Sequence, residues 1–237
     1  MHEKWRILAI ALIVLGLIAF AVVMTIYGWN FSKLTDAKPV TNMHKISDAY
    51  RSICIEAENA DVRIVPASDG QCTVVCNEFE KATHTVAVED GTLTIRLKDE
   101  RAWYERFGFS GAKITVSLPQ EVYDSVKICL TTGNVRIEDL QCQTLTADST
   151  TGDLTLKNVL VAGKLTVDCT TGNVSFDCCD AGEISVSVTT GDVSGSLRSE
   201  KIFVANTTTG DIRVPCGTSG GACRISTTTG NIHIEIK

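Results

Sequence analysis

The sequence predicts an all-β protein: a β-solenoid, single-stranded and β-helix-like, built from 19–20-residue repeats and preceded by one transmembrane helix. Three observations carry that prediction. Thr-Thr-Gly recurs with its glycines at 133, 152, 172, 191, 210 and 230, a spacing of 19 or 20 residues throughout. Apolar and polar residues alternate on both sides of each recurrence, the period of a strand. A run without charge, Ile7 to Tyr27, stands ahead of everything else.

That run sets the first boundary. Its 21 apolar or small residues rise about 1.5 Å each as a helix, enough to cross a hydrocarbon core of roughly 30 Å. Trp5 and Trp29 bracket it where indoles settle at membrane interfaces. The rival reading is a cleaved secretory signal, since Lys4 and Arg6 precede the run and Ala19-Phe20-Ala21 resembles a cleavage site. The apolar stretch continues through Val22, Val23, Met24 and Ile26, beyond a signal core of about 7 to 15 residues. The expectation is therefore a cytoplasmic N-terminus at 1–6, a transmembrane helix at 7–27, a linker at 28–50 and a β-strand-repeat domain at 51–237. The short basic N-terminus places that domain outside the cell.

Within the domain, residues 129–237 are expected to form regular coils. After each glycine comes Asn134, Asp153, Asn173, Asp192, Asp211 or Asn231, and two residues beyond it Val135, Leu154, Val174, Val193, Ile212 or Ile232. Alternation resumes upstream in Val126-Ile128-Leu130, Leu165-Val167-Cys169 and Ile184-Val186-Val188. Each unit thus carries two short strands joined at a corner. A unit this small cannot bury its own apolar face, so neighbours share a core. The alternative is an antiparallel β-sandwich of hairpins, because Gly-Asn and Gly-Asp are also hairpin turn signals. Stacked coils explain better why the same four residues return at constant spacing. Residues 51–128 are strand-rich but irregular and are expected to be capping coils, with 99–111 projecting as a loop.

The corner column Gly133, Asn134, Gly152, Asp153, Gly172, Asn173, Gly191, Asp192, Gly210, Asp211, Gly230 and Asn231 is assigned a structural role. Glycine supplies positive φ, and Asn or Asp a local side-chain bond. A calcium-binding reading is weak because three of the six polar residues are Asn. No metal site and no cofactor are expected: His2, His44, His84 and His233 show no ligand spacing. No catalytic residues are assigned either, since acids such as Glu138, Asp139 and Asp177 look scattered rather than paired. The most individual segment holds Trp103, Tyr104, Arg106, Phe107 and Phe109, a partner-binding tip or, equally, a cap for the open end of the stack.

Charge narrows the partners. The chain total is -6, and Glu3, Lys4 and Arg6 give residues 1–30 +1, leaving -7 for 31–237. A nucleic-acid partner lacks its basic footprint; a cationic one is permitted. The ten cysteines would suggest disulfides in an exported domain. Yet Cys72 and Cys76 share a strand face and Cys169 takes an inward position, so mostly free, core-filling thiols are expected, the alternative being bridges between neighbouring coils among Cys178, Cys179, Cys216 and Cys223.

Taken together, the anchor, Ala57-Glu58-Asn59-Ala60-Asp61-Val62-Arg63-Ile64-Val65-Pro66, Gly91-Thr92-Leu93-Thr94-Ile95, Val116-Ser117-Leu118-Pro119 and the Thr-Thr-Gly series resemble the bacterial putative adhesin family over roughly residues 50–237. The resemblance implies a surface β-helix-like domain of largely unknown function, with some members tied to envelope stress and antimicrobial-peptide sensing, and brings no catalytic residues. The expected function is a non-enzymatic, membrane-anchored envelope protein that binds or scaffolds a cell-wall component, a cationic peptide or another envelope protein. The alternatives are an envelope-stress or antimicrobial-peptide sensing accessory and a polysaccharide-active β-helix enzyme.

Overall fold

The computed structural model describes residues 12–18, 20–22, 25, 38–100 and 111–237. Residues 12–18, 20–22 and 25 are helical, and the Thr25 hydroxyl donates to the carbonyls of Ala21 and Val22. Among the described residues no helix is long and apolar enough to cross a membrane; the remainder of the span expected at 7–27 lies outside them. Pro39–Glu100 and Ser110–Lys237 form one compact unit.

Among the described residues this unit holds seventeen strands. In chain order they are β1 (Pro39–Ile46), β2 (Ser52–Pro66), β3 (Cys72–Phe79), β4 (Ala82–Glu89), β5 (Thr92–Asp99), β6 (Ala112–Leu118), β7 (Val122–Thr132), β8 (Val135–Glu138) and β9 (Gln141–Thr151). After these come β10 (Leu154–Lys157), β11 (Leu160–Thr171), β12 (Val174–Thr190), β13 (Val193–Leu197), β14 (Ile202–Thr209), β15 (Ile212–Arg213), β16 (Ala222–Thr229) and β17 (Ile232–Ile236).

The repeat strands pair in parallel, which rules out the hairpin sandwich for this region. Val126, Ile128 and Leu130 lie beside Leu145, Ala147 and Ser149, which lie beside Leu165, Val167 and Cys169, and these beside Ile184, Val186 and Val188. Beyond the corner, Val135, Leu154, Val174 and Val193 stack in the same way. Alternate residues point inward, so these columns fill one continuous apolar core. Each fully buried aliphatic side chain contributes roughly 1.5–3 kcal/mol relative to exposure.

At both ends the coils leave chain order. The last coil, β16–β17, pairs with β12 and β13 on one side and with β14–β15 on the other. It is therefore inserted inside the stack, and β14–β15 forms the end. At the opposite end β2 lies between β5–β6 and β7–β8. Ser52–Pro66 is thus an interior coil, where capping coils were expected across 51–128. Its corner reads Asn59-Ala60-Asp61, and the missing Thr-Thr-Gly hides it from a motif search.

The true cap is antiparallel. β4 runs against β5, β3 against β6, and β1 against β3. β1 falls in the stretch expected to be linker, 28–50. Its inward residues Val40, Asn42, His44 and Ile46 mix polar and apolar, which weakens the alternation that would have announced it.

Candidate functional site

Functional groups gather in two places, the corner column with the groove beside it and a polar cluster in the cap. The six glycines of the column have φ between 137° and 150°, a conformation that side chains resist. Stacking adds a second demand, because a Cβ on Gly152 would sit 2.0 Å from the Gly133 carbonyl oxygen, and one on Gly172 2.0 Å from that of Gly152. Glycine is needed here because each corner rests directly on the backbone of the next.

The polar residue after each glycine does not make the local bond expected of it. Its side chain reaches the next coil. Asn134 N–H donates to Asp61 Oδ1 at 2.9 Å, Asp153 N–H to Asn134 Oδ1 at 2.9 Å, and Asn173 N–H to Asp153 Oδ1 at 2.8 Å. The series continues with Asp192 on Asn173, Asn231 on Asp192 and Asp211 on Asn231. Along the stack the column therefore runs Asp61–Asn134–Asp153–Asn173–Asp192–Asn231–Asp211. It alternates strictly between acid and amide, although the chain order 192, 211, 231 does not. Coils about 4.8 Å apart would set like charges against each other; alternation places an amide between every two carboxylates. Asn134 and Asn173 also donate side-chain N–H to Asp61 and Asp153 at 3.2 Å. Asp61 meets Lys113 in register on its far side.

Beside the column runs a groove of about 510 Å³, lined in part by Thr131, Asp148, Thr150, Asp168, Thr170 and Thr189. The first threonine of four of the six pairs, at 131, 150, 170 and 189, faces it. The second is exposed too, as period two at a bend dictates. Asp148 and Asp168 are in register on adjacent coils, and the Cys129 thiol donates to Asp148 Oδ2 at 3.6 Å.

The opposite corner of the coils uses Asp139, Asn158 and Cys178, all with φ near +53°. Cys178 is the outlier, since Asn and Asp tolerate this region far better. Glu138 accepts from Arg63 at 3.0 Å and Arg136 at 2.6 Å. The Arg136 bond above all, seconded by Arg63, holds its carboxyl below the usual range against the opposing pull of burial.

In the cap, Glu78 and His84 are 2% and 4% exposed. Glu78 accepts from Asn42 Nδ2, from His84 N–H and from His84 Nδ1, each at 2.7 Å. Cys76 lies with them: its Sγ, a Glu78 carboxylate oxygen and a His84 ring nitrogen fall within 4.8 Å of one another. Burial, and then the Glu78 charge, push the Cys76 thiol up to about 12. His84 Nε2 and His44 Nε2 are buried and have no partner among the described residues.

This cluster escapes a search for ligand spacing along the chain. Cys76 and Glu78 share the inward face of β3, and a hairpin turns His84 back onto the same face. The signal was there in the alternation: Glu78 and His84 stand at inward positions on the two strands of one hairpin.

All ten cysteines are free, six of them buried, and Cys169 occupies the inward column with Leu130 and Val188 as expected. Burial pushes Cys142 and Cys223 up to about 12. Trp103, Tyr104, Arg106, Phe107 and Phe109 lie outside the described residues.

The chain belongs to the Toastrack DUF4097 family, whose model matches residues 50–237. No curated protein matches it. Among solved structures it is similar to a putative cell adhesion protein from Clostridium sporogenes, at 13% identity and a TM-score of 0.55, covering 84% of this chain and 100% of that one. It also matches a putative adhesin from Bacteroides fragilis at 21% identity and a TM-score of 0.49, covering 84% and 97%. At these identities the likeness concerns the fold. The resemblance to bacterial putative adhesins read from the sequence agrees with the family match.

Proposed function

We propose that this Toastrack-family chain is a non-enzymatic, single-pass protein of the bacterial envelope, anchored by residues 7–27 and displaying its solenoid outside the cell to bind or scaffold other envelope components. The observation that carries this reading is the groove beside the corner column. Parallel stacking repeats one polar position on successive coils, so Thr131, Thr150, Thr170 and Thr189 make a fixed row of hydroxyls beside the in-register carboxylates of Asp148 and Asp168. Such a surface costs little conformational entropy to present, which favours recognition of an extended ligand. The cell-adhesion naming of the Clostridium sporogenes structure and the uncharged run at 7–27 point the same way. Protease added to intact protoplasts tests the topology: residues 50–237 should be attacked before lysis. Protection until lysis would reverse the orientation.

A second reading takes the ligand to be a cationic envelope-active peptide, which the groove carboxylates and the -7 balance of residues 31–237 favour. Binding of this kind weakens with salt. Titration with such peptides at two salt concentrations should show micromolar, salt-sensitive binding that Asp148→Asn with Asp168→Asn weakens. Binding equal in both salts would leave only the scaffold reading.

A further inference from the structure

We propose that Cys76, Glu78 and His84 form a binding site for a single divalent zinc-like cation, which ties together the β3–β4 hairpin of the antiparallel cap. The three ligand atoms already lie within 4.8 Å of one another. Tetrahedral zinc, with bonds of about 2.0–2.3 Å, places its ligands roughly 3.3–3.8 Å apart, so a small inward movement closes the site. The donors are one sulfur, one oxygen and one nitrogen, a set that suits zinc rather than calcium or magnesium.

Charge balance supports the same ion. Thiolate and carboxylate supply two negative charges, histidine is neutral as a ligand, and a dication makes the buried group neutral overall, the condition under which charge is tolerated in an interior. Binding breaks the Cys76 S–H bond and forms S–metal, and the proton leaves to solvent.

A purely structural His84–Glu78 pair leaves one observation unexplained. His84 Nε2 is buried without a partner among the described residues, a desolvation cost that an apolar side chain in its place would not carry. A second such nitrogen, His44 Nε2, lies on the neighbouring strand, two residues from Asn42, which pairs with Cys76. Cys76 pairs with Ile114 and His84 with Leu97, so the ion would tie β3 and β4 together where they cover the last parallel coil.

The test uses the full-length chain, reduced and stripped of metal with a chelator, then titrated with zinc and, as a spectroscopic probe, cobalt(II). The expected result is one-to-one binding, a sulfur-to-cobalt charge-transfer band and a rise in melting temperature with zinc. Cys76→Ser should abolish the band, whereas Cys216→Ser, which removes the exposed thiol, should leave it. Should Cys76→Ser fail to fold, His84→Gln serves instead, with affinity expected to fall at least about tenfold. Absence of one-to-one binding, or binding unchanged in the folded variants, would overturn the proposal.

Discussion

The corner column and the cap hold the same core closed by opposite means. In the column every coil meets its neighbour in parallel, with one glycine and one acid or amide repeated and each side chain bonded to the next coil. In the cap the strands turn antiparallel, no motif repeats, and polar groups are buried around a histidine nitrogen without a partner among the described residues. Repetition builds a ladder in which the polar groups satisfy one another, leaving little chemistry unspent. The buried carboxylate–histidine pair Glu78–His84 is found where the repeat stops.

Substituting one residue type in both regions sharpens that contrast most. Gly172→Ala drives a methyl into the Gly152 carbonyl at 2.0 Å and forces alanine to φ +149°. We expect a loss of at least about 3 kcal/mol in denaturant unfolding. Gly91→Ala in the β4–β5 turn keeps a positive φ but meets nothing within 4 Å, and about 1 kcal/mol should be lost. Equal losses would mean that turn conformation, not coil-on-coil contact, sets the requirement.

Alkaline pH acts on both regions together. Burial raises Cys142 and Cys223 in the solenoid and, in the metal-free chain, Cys76 in the cap from 9.0 to about 12. Below about pH 9 these thiols are protonated in folded and unfolded chains alike. Between 9 and 12 only the unfolded chain releases the protons, so stability should fall by on the order of 1 kcal/mol per pH unit for each thiol. Unfolding midpoints followed from pH 8 to 11 check this, and the Cys142→Ala variant should show a shallower fall.

Smaller effects separate the two corners of the coil. Asn173→Asp would set three carboxylates in succession, Asp153, residue 173 and Asp192, at a cost of about 1 kcal/mol at neutral pH. Cys178→Asn on the opposite corner should instead stabilise by roughly 0.5–1 kcal/mol, because asparagine accepts φ +53° more readily than cysteine. A destabilised Cys178→Asn would show that the thiol makes contacts outweighing the strain.

The regular coils were legible in the sequence because stacking forces one residue pattern to recur at one spacing. The apolar columns from Val126 to Val188 and the free thiol at Cys169 followed from period two alone. The hidden features depended on contacts between distant segments. Asp61 belongs to the ladder, yet Ala60 precedes it where the repeats have glycine, so no motif marks it. The insertion of β16–β17 before β14–β15 leaves its only trace in the choice of acid or amide at 192, 211 and 231. Cys76, Glu78 and His84 meet through a hairpin that brings inward positions together, and ligand spacing along a helix or loop does not describe that geometry.

The ladder alternates in the order of the stack rather than the order of the chain, and exchanging its last two members tests that most directly. Asp211→Asn with Asn231→Asp keeps net charge and composition. In the observed stack it sets the new carboxylate at 231 against Asp192, and denaturant unfolding should show a loss of about 1 kcal/mol at pH 7 that vanishes as the acids protonate near pH 4. A chain stacked in sequence order would have Asp192 and Asp211 adjacent, and the exchange would relieve them. Unchanged or increased stability at pH 7 would therefore contradict the alternation by stack order.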